Sequence, residues 1–223
     1  MNRKRWMPVL GIVLAATLAI LPLSAQEEGG KKSVLSVQVG PSGYTGRFLG
    51  ITRPTHAYRS DLRPGMAWNV FYGYRGLSTG KNGLHVGPGL LYQGSFYRAS
   101  WTDGSDHIGM HYFAPQFAFF GQHGPWAWQA ALGVGWLHYN DHSRVYGKPR
   151  QVTMNKLGGN LSVEGEYLLT PQWGISARLN WLLSTSDRYQ LEYHGEHYSV
   201  KHPDTGEGYF GQLALLVGVN WHF

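Results

Sequence analysis

The last fifteen residues of the chain, 209–223, alternate between two kinds of side chain with a period of two. The odd positions are almost all apolar, as at Leu215 and Val217, and end in the aromatic residues Trp221 and Phe223, whereas the even positions are mixed and partly polar. A period of two is that of a β-strand, whose successive side chains point to opposite faces. An apolar face with aromatic residues at its end, opposite a partly polar face, predicts a strand that crosses a membrane in a closed barrel.

Seven further segments alternate in the same way. The predicted strands span residues 33–40, 66–75, 84–97, 108–120, 126–139, 156–169, 173–186 and 209–223. No stretch after Leu21 is long and apolar enough for a spanning helix, so a membrane could be crossed only by strands that close on themselves. The sequence therefore predicts an all-β fold, an eight-stranded antiparallel up-and-down transmembrane β-barrel.

The connections between these strands alternate in length, which supports the same fold. Residues 41–65, 98–107, 140–155 and 187–208 form long polar connections, and residues 76–83, 121–125 and 170–172 form short ones. Outer-membrane barrels have short periplasmic turns and longer extracellular loops, so an even strand count predicts that both termini are periplasmic. A soluble eight-stranded barrel is the alternative. It is disfavoured by tryptophans on the apolar face, namely Trp126, Trp128, Trp136, Trp181 and Trp221.

The N-terminal segment has the pattern of a secretory signal peptide. A basic stretch, 2–5, precedes a short apolar run, 9–21, and Ala25 supplies a small residue before a cleavage site. We expect residues 1–25 to be removed and residues 26–223 to form the barrel domain. Removal leaves 16 Lys+Arg against 13 Asp+Glu, so the formal charge falls from +6 to +3 and gives little support for a nucleic-acid partner. The chain has no cysteine, which excludes disulfides and a lipid anchor on cysteine.

Across residues 33–223 the chain resembles the small porin-like eight-stranded outer-membrane proteins of the OmpA-barrel, OmpX and opacity-protein type. The segment 158–182, two strands joined by a tight turn at Pro171, is the most similar part. The resemblance implies residence in a Gram-negative outer membrane, contact with outer-membrane lipid and lipopolysaccharide, and a monomer. It also implies that the assembly machinery recognises the C-terminal strand through Trp221 and Phe223. The group includes adhesins, structural anchors and lipid-modifying enzymes, so the resemblance implies no single activity.

The short turn at 170–172 fixes the pairing of the two strands that flank it. If Leu169 lies opposite Trp173, then Glu164 lies opposite Arg178 on the inward face. Eight strands enclose only enough room for side chains, so we expect interlocking polar groups inside. An unpaired charge there would be costly, which predicts a hydrogen-bonded charge pair between Glu164 and Arg178. The pair could be a structural plug or a gate, and we expect the plug.

Three patterns suggest chemistry without establishing it. The triplets 105–107 and 141–143 each contain Ser, Asp and His, as an acyl-transferring barrel enzyme requires, but adjacency in sequence does not form a triad. His138 has no serine two residues later, unlike the barrel deacylases. The loop 187–208 holds imidazoles and carboxylates that could ligate a metal, without a zinc-protease motif: His194, Glu196, His197, His202 and Asp204. We therefore expect no catalytic centre, no cofactor and no metal site.

The remaining prediction concerns the long loops. The first loop, 41–64, carries four arginines that could contact lipopolysaccharide phosphates. Exposed loops on a rigid barrel are where binding sites commonly lie. The sequence thus favours a structural or surface-interaction role through these loops. The alternatives are a lipid A-modifying enzyme, of acyltransferase or deacylase type, and a narrow channel for a small or apolar solute.

Overall fold

The structure, a computed structural model, describes residues 31–78, 84–186, 188–201 and 208–223. The predicted signal peptide, 1–25, lies outside these ranges. The elements are β1 (Ser33–Gly46), α1 (His56–Leu62), β2 (Pro64–Tyr74), β3 (Leu77–Ser78), β4 (His85–Trp101), β5 (Gly104–His123), β6 (Trp126–Val145), β7 (Lys148–Leu168), β8 (Trp173–Ser186), β9 (Arg188–Tyr193), β10 (Glu196–Lys201) and β11 (Gly208–His222). Within the described ranges, no helix has the length and hydropathy to cross a bilayer.

Eight long antiparallel strands close into a barrel, which confirms the predicted fold. The ring runs β1, β2, β4, β5, β6, β7, β8 and β11, and β11 pairs with β1 to close it. Backbone hydrogen bonds at the seam join Ser33 N to Phe223 O at 2.9 Å and Phe223 N to Ser33 O at 3.0 Å. Every long strand therefore has two neighbours, as a chain in lipid requires. We call the end of the barrel with the seam residues Ser33 and Phe223 the turn end, and the opposite end the loop end.

The two faces of the strands separate as the alternation predicts. The outward apolar residues form a belt of half-exposed side chains, for example Val217, Leu179, Leu161 and Leu132. Aromatic rings border this belt at the turn end, where Trp173 stacks on Trp221 at 6.2 Å and Trp221 on Phe223 at 4.4 Å between centroids. A continuous apolar belt edged by aromatic residues is the surface of a barrel embedded in a bilayer.

Two of the predicted long loops are instead extensions of the strands. Residues 98–107 and 140–155 belong almost entirely to β4, β5, β6 and β7, and only Thr102–Asp103 and Tyr146–Gly147 form the turns. Tyr146 and Gly147 have φ of 50° and 76°, the paired positive values of a type I′ hairpin turn. The prediction failed here because it depended on an apolar outward face, and that face ends with the lipid belt. Above the belt the ladder continues with polar residues on its outer side.

The first long connection, 47–63, folds into the mouth of the barrel. Leu49 and Leu62 are fully buried, and Tyr139 donates a hydrogen bond to the Leu49 carbonyl at 3.4 Å. Around them the barrel interior becomes apolar toward the loop end. The surrounding side chains are Tyr44, Tyr97, Ile108, Met110, Leu137, Val152, Met154, Leu182 and Phe210. The expectation of interlocking polar groups inside is therefore wrong at this end, because a wall surrounded by water buries apolar groups inward as a soluble protein does.

Candidate functional site

A groove with four histidines crosses the outer wall just beyond the lipid belt. The histidines His107, His111, His138 and His142 face outward from β5 and β6, and register places His111 directly opposite His138. Their convergence follows from the antiparallel pairing, since residues two apart on each strand share a face. We call the surface lined by these residues, with Arg98, Asn140, Arg144 and Lys148, the outer-wall groove.

Neighbouring side chains orient the two histidines nearest the belt. Tyr92 Oη lies 2.9 Å from His111 Nδ1, and Asn155 Oδ1 lies 2.8 Å from His138 Nδ1. The Asn155 oxygen only accepts, so His138 Nδ1 carries a proton. The His111 and His138 rings stack with centroids 6.4 Å apart, and Trp136 stacks on His138 at 5.6 Å. This end of the groove is thus a rigid aromatic platform on the outer surface.

Basic side chains dominate the rest of the groove. Its two adjoining hollows, of about 480 and 810 Å³, share His107 and His142. Four cationic residues line them, and Glu192 of β9 is the acidic residue in their lining. The cationic residues are Arg98, Arg144, Lys148 and Arg150. The surface therefore favours an anionic ligand, and guanidinium groups suit oxyanions in particular because they present paired N–H donors.

Behind this wall, a buried acidic pair holds the first loop in place. Asp106 and Asp141 are both fully buried, and Arg150 Nη2 lies 3.8 Å from a carboxylate oxygen of each. Asp106 accepts hydrogen bonds from Thr52 N at 3.0 Å and from Thr52 Oγ1 at 2.7 Å. Tyr58 Oη of α1 lies 2.9 Å from Asp106 Oδ2. We call Asp106, Asp141 and Arg150, with Thr52 and Tyr58, the loop anchor.

The loop anchor contains a carboxyl group that stays protonated at neutral pH. Burial, and then the neighbouring Asp106 carboxyl, raise the pKa of Asp141 to about 8. Because Asp141 is then neutral, the two carboxyls together carry at most one negative charge, which the single positive charge of Arg150 balances. Burial also raises the pKa of Tyr58 to about 12, so its hydroxyl remains a donor. Hydrogen bonds thus join Asp106 to Thr52 and Tyr58, whereas Arg150 contacts both acids only as an ion pair at 3.8 Å.

The sequence triplets do not form catalytic triads. Asp106 and Asp141 point into the barrel, whereas His107 and His142 point outward, because adjacent strand residues face opposite sides. His142 instead lies 2.9 Å from Asn140 Nδ2. His194 and Gly195 form the turn of the β9–β10 hairpin, and His202 and Asp204 lie outside the described residues. In the part of the chain that the structure describes, no group of three His, Asp or Glu side chains is placed to hold a metal ion.

In the middle of the barrel, Glu164 and Arg178 lie opposite each other in the register. Arg178 donates to Glu164 Oε2 through Nε at 2.7 Å, with Nη2 at 2.6 Å from the same oxygen. Glu164 also accepts from Gln38 Nε2 at 3.0 Å and Asn220 Nδ2 at 2.6 Å. The guanidinium of Arg178 lies 4.5 Å from the centroid of Phe71. These contacts fill the section of the barrel around the pair with packed side chains.

Solved structures with a similar architecture include several membrane barrels of bacteria. The chain is similar to Neisserial surface protein A (TM-score 0.53, 11% identity, covering 88% of this chain and 100% of that one). It is also similar to a major outer membrane protein from Thermus thermophilus (TM-score 0.54, 15% identity, 86% and 99%). A third is the outer membrane protease OmpT from Escherichia coli (TM-score 0.52, 8% identity, 90% and 99%). The chain has the fold of the bacterial outer-membrane β-barrels.

These similarities are similarities of fold. No protein-family model and no curated protein sequence matches the chain. The apolar belt and the closed ring agree with the membrane location of this outer-membrane barrel. Because one of the similar structures is a protease, the fold by itself is compatible with an enzyme as well as with a binding protein.

Proposed function

We propose that this outer-membrane barrel has a structural and surface-interaction role, and that its outer-wall groove binds phosphate groups of lipopolysaccharide. In this proposal the loop end is extracellular and both termini are periplasmic. The protein acts as a monomer that holds surrounding lipid rather than as a catalyst or a pore. The long first loop contributes by closing the mouth, not by extending from the surface.

The position of the groove carries this proposal. The groove faces sideways, and it begins where the apolar outer belt ends, at Trp136 and Phe113. In an embedded barrel this is the height at which lipid headgroups lie. Arg98 then faces the headgroup layer of the surrounding leaflet, where basic clusters bind anionic lipid, and Arg144 and Lys148 extend the basic surface outward along the β6–β7 hairpin.

Binding of purified lipopolysaccharide to the folded protein in detergent tests this role. We expect the variants Arg144→Gln and Lys148→Gln each to weaken binding several-fold, and their combination by at least tenfold, because charge-assisted contacts to phosphate are lost. Lys201→Gln, an exposed change at the end of β10, is the matched control and should leave affinity unchanged. Equal binding of intact and enzymatically dephosphorylated lipopolysaccharide would contradict the proposal.

Orientation is tested separately by labelling intact cells. Because the chain has no cysteine, a single introduced cysteine is a unique reporter. We expect Gly195→Cys, in the β9–β10 turn, to react with a membrane-impermeant maleimide on intact cells. Gly124→Cys, in the β5–β6 turn at the other end, should react only after the outer membrane is permeabilised. The reverse pattern would place the loop end in the periplasm.

The assembly role of the C-terminal strand is also a proposal. Trp221 and Phe223 lie outward at the turn end, next to the seam that closes the barrel. This edge remains unpaired until β1 joins β11, so it is available to an assembly machinery before closure. We expect Phe223→Ala to lower the amount of folded protein in the outer membrane while leaving refolding into detergent intact. Equal membrane levels for the variant and the wild type would contradict this role.

A further inference from the structure

A second cluster of cationic groups lies at the opposite end of the barrel, inside the lumen mouth. A cleft of about 670 Å³ opens at the turn end between the barrel and the segment that precedes β1. Its basic lining residues are Lys31, Lys32, Arg75, His85 and His222. The rest of the lining is neutral: Gly76, Ser78, Gln122, Leu168 and Pro171. We call this the turn-end cleft.

Among the described residues, no acidic side chain contacts Arg75 directly, and Glu166 and Glu164 act on it only over a longer distance. Arg75 Nη2 lies 3.3 Å from His222 Nδ1, and a guanidinium can only donate, so Nδ1 accepts. The proton of a neutral ring is then on Nε2, which lies 2.6 Å from Glu166 Oε1. A side chain at Gly174 would collide with the Glu166 carboxylate, so this glycine makes room for the contact. Glu166 is therefore engaged by the imidazole and does not touch the guanidinium.

Two buried cationic atoms in the cleft have no partner among the described residues. Arg75 Nε and Lys31 Nζ are both inaccessible and form no hydrogen bond there. The Arg75 guanidinium lies over the Phe120 ring, with 5.5 Å between the guanidinium carbon and the ring centroid. The Arg75 backbone N–H also bonds the Lys32 carbonyl at 2.7 Å, which keeps the two basic residues together. Burying unpaired donors and charge is costly unless an anion compensates them.

We propose that the turn-end cleft is a binding site for a phosphate group. A guanidinium and two ammonium groups around one cleft match the charge and the several acceptor oxygens of a phosphate. The site is independent of the outer-wall groove, since it lies at the other end of the barrel and inside the wall. The phosphate belongs either to a soluble phosphate compound that enters the mouth or to a phospholipid headgroup at its rim.

Calorimetric titration of the folded protein with inorganic phosphate tests the site. The protein is prepared in micelles of a maltoside detergent, which contains no phosphate, at constant ionic strength. We expect saturable binding that falls at least tenfold in Arg75→Gln and several-fold in Lys31→Gln. Lys201→Gln, an exposed change at the end of β10, is the matched control and should bind phosphate as the wild type does. The heat-dependent gel mobility of folded barrels shows whether each variant has folded.

Two comparisons identify the source of the phosphate and make the result decisive. In nanodiscs of anionic phosphatidylglycerol, retained binding indicates a soluble ligand, whereas loss of binding indicates that a lipid headgroup occupies the site. Glu27 and Glu28 are the acidic residues just before Lys31 in the sequence, so Glu27→Gln/Glu28→Gln is titrated as well to remove their negative charge. Absence of phosphate binding in both the wild type and this double variant would overturn the proposal. So would binding that Arg75→Gln and Lys31→Gln leave unchanged in folded protein.

Discussion

At the scale of single residues, the buried charge of Arg178 is the most consequential feature of the barrel interior. Arg178 is completely buried and its main anionic partner is Glu164, which is 3% exposed. Removing one partner of such a pair strands the other charge, which costs about 3–5 kcal/mol, whereas replacing both by apolar groups is often close to neutral. The loss of one partner therefore destabilises the barrel mainly because it leaves the other charge buried and unpaired, and the net attraction within the pair contributes less.

This asymmetry gives a prediction for Glu164 variants. We expect Glu164→Ala to lower the free energy of unfolding in detergent by about 3–5 kcal/mol. The combined change Glu164→Leu/Arg178→Met should recover most of that loss because no unpaired charge remains. Urea titration followed by gel mobility of the folded form measures both values. If the double variant were as unstable as the single one, the lost stability would come mainly from the hydrogen bonds that Gln38 and Asn220 make to Glu164.

A second residue-scale prediction concerns pH and Asp141. The closed loop anchor holds a proton on Asp141, whose pKa is about 8, whereas an opened loop returns this carboxyl to its ordinary value near 3.8. The closed form thus binds more protons between these values, so its stability falls as pH rises from about 4 to 8 and then levels off. The stabilisation of the closed loop by the proton on Asp141 is complete only below about pH 4.

Limited trypsin digestion of the first loop measures this effect. The bond after Arg59 in α1 should be cleaved faster as pH increases from about 6 to 8, by up to roughly tenfold per pH unit. Asp141→Asn keeps the acceptor for the His107 backbone N–H and cannot ionise. Its cleavage rate therefore corrects for the pH dependence of trypsin itself. Parallel pH profiles for the wild type and this variant would show that the pair does not control the loop.

At the scale of elements, the β6–β7 hairpin presents Arg144 and Lys148 on the two sides of one tight turn. Tyr146 and Gly147 both adopt positive φ there. We expect Gly147→Val to cost about 1–2 kcal/mol locally, since a β-branched residue fits this region poorly. Tyr146→Asn should be tolerated because asparagine adopts positive φ readily. Amide hydrogen exchange of β6 and β7 near the turn distinguishes the two variants. Equal protection in both would mean that the turn conformation does not limit the hairpin.

The sequence predicted the parts of the elements that lipid constrains. Each strand of the belt must place apolar residues outward and hydrogen-bond its backbone N–H and C=O groups to its neighbours. Because this requirement produces a period of two, the alternation identified all eight strands. The register of β7 and β8 was also predicted correctly. The tight turn at Pro171 places Leu169 opposite Trp173, and this pair fixes all other pairs of the two strands.

The loop anchor was not predicted, because the ends of the strands were placed too early. Asp106 and Asp141 lie in segments that the sequence alone predicts to be loops, where alternation does not give the direction of a side chain. Continuing the alternation of β5 from Tyr112 and of β6 from Leu137 would have turned both aspartates inward, toward each other. The outer-wall groove was missed for the same reason, since His107 and His142 belong to those extensions. The first loop has no periodic pattern that would predict its folding into the mouth. Only two apolar residues, Leu49 and Leu62, indicate that part of it is buried.

At the scale of the whole molecule, the lumen is divided into three parts with different chemistry. The turn-end cleft is basic and open, the middle is a packed polar layer around Glu164 and Arg178, and the loop end is an apolar core covered by the first loop. In the middle layer Asn180 and Gln212 are completely buried as well as Arg178. This division favours a binding role at each end of the barrel over transport through it.

Planar-bilayer recordings test this closed lumen. We expect the wild type to show no conductance steps, because eight strands leave only enough interior space for side chains. Replacing residues 47–63 by a short glycine linker should open the mouth and still give no steps, since the polar layer remains packed below it. Arg178→Ala combined with Phe71→Ala removes the guanidinium and the ring on which it lies, and should produce a conducting path if the protein still folds. Steps in the wild type, or in the loop deletion alone, would show instead that the polar layer is a gate, and the narrow-channel function would then replace the closed barrel proposed for this protein.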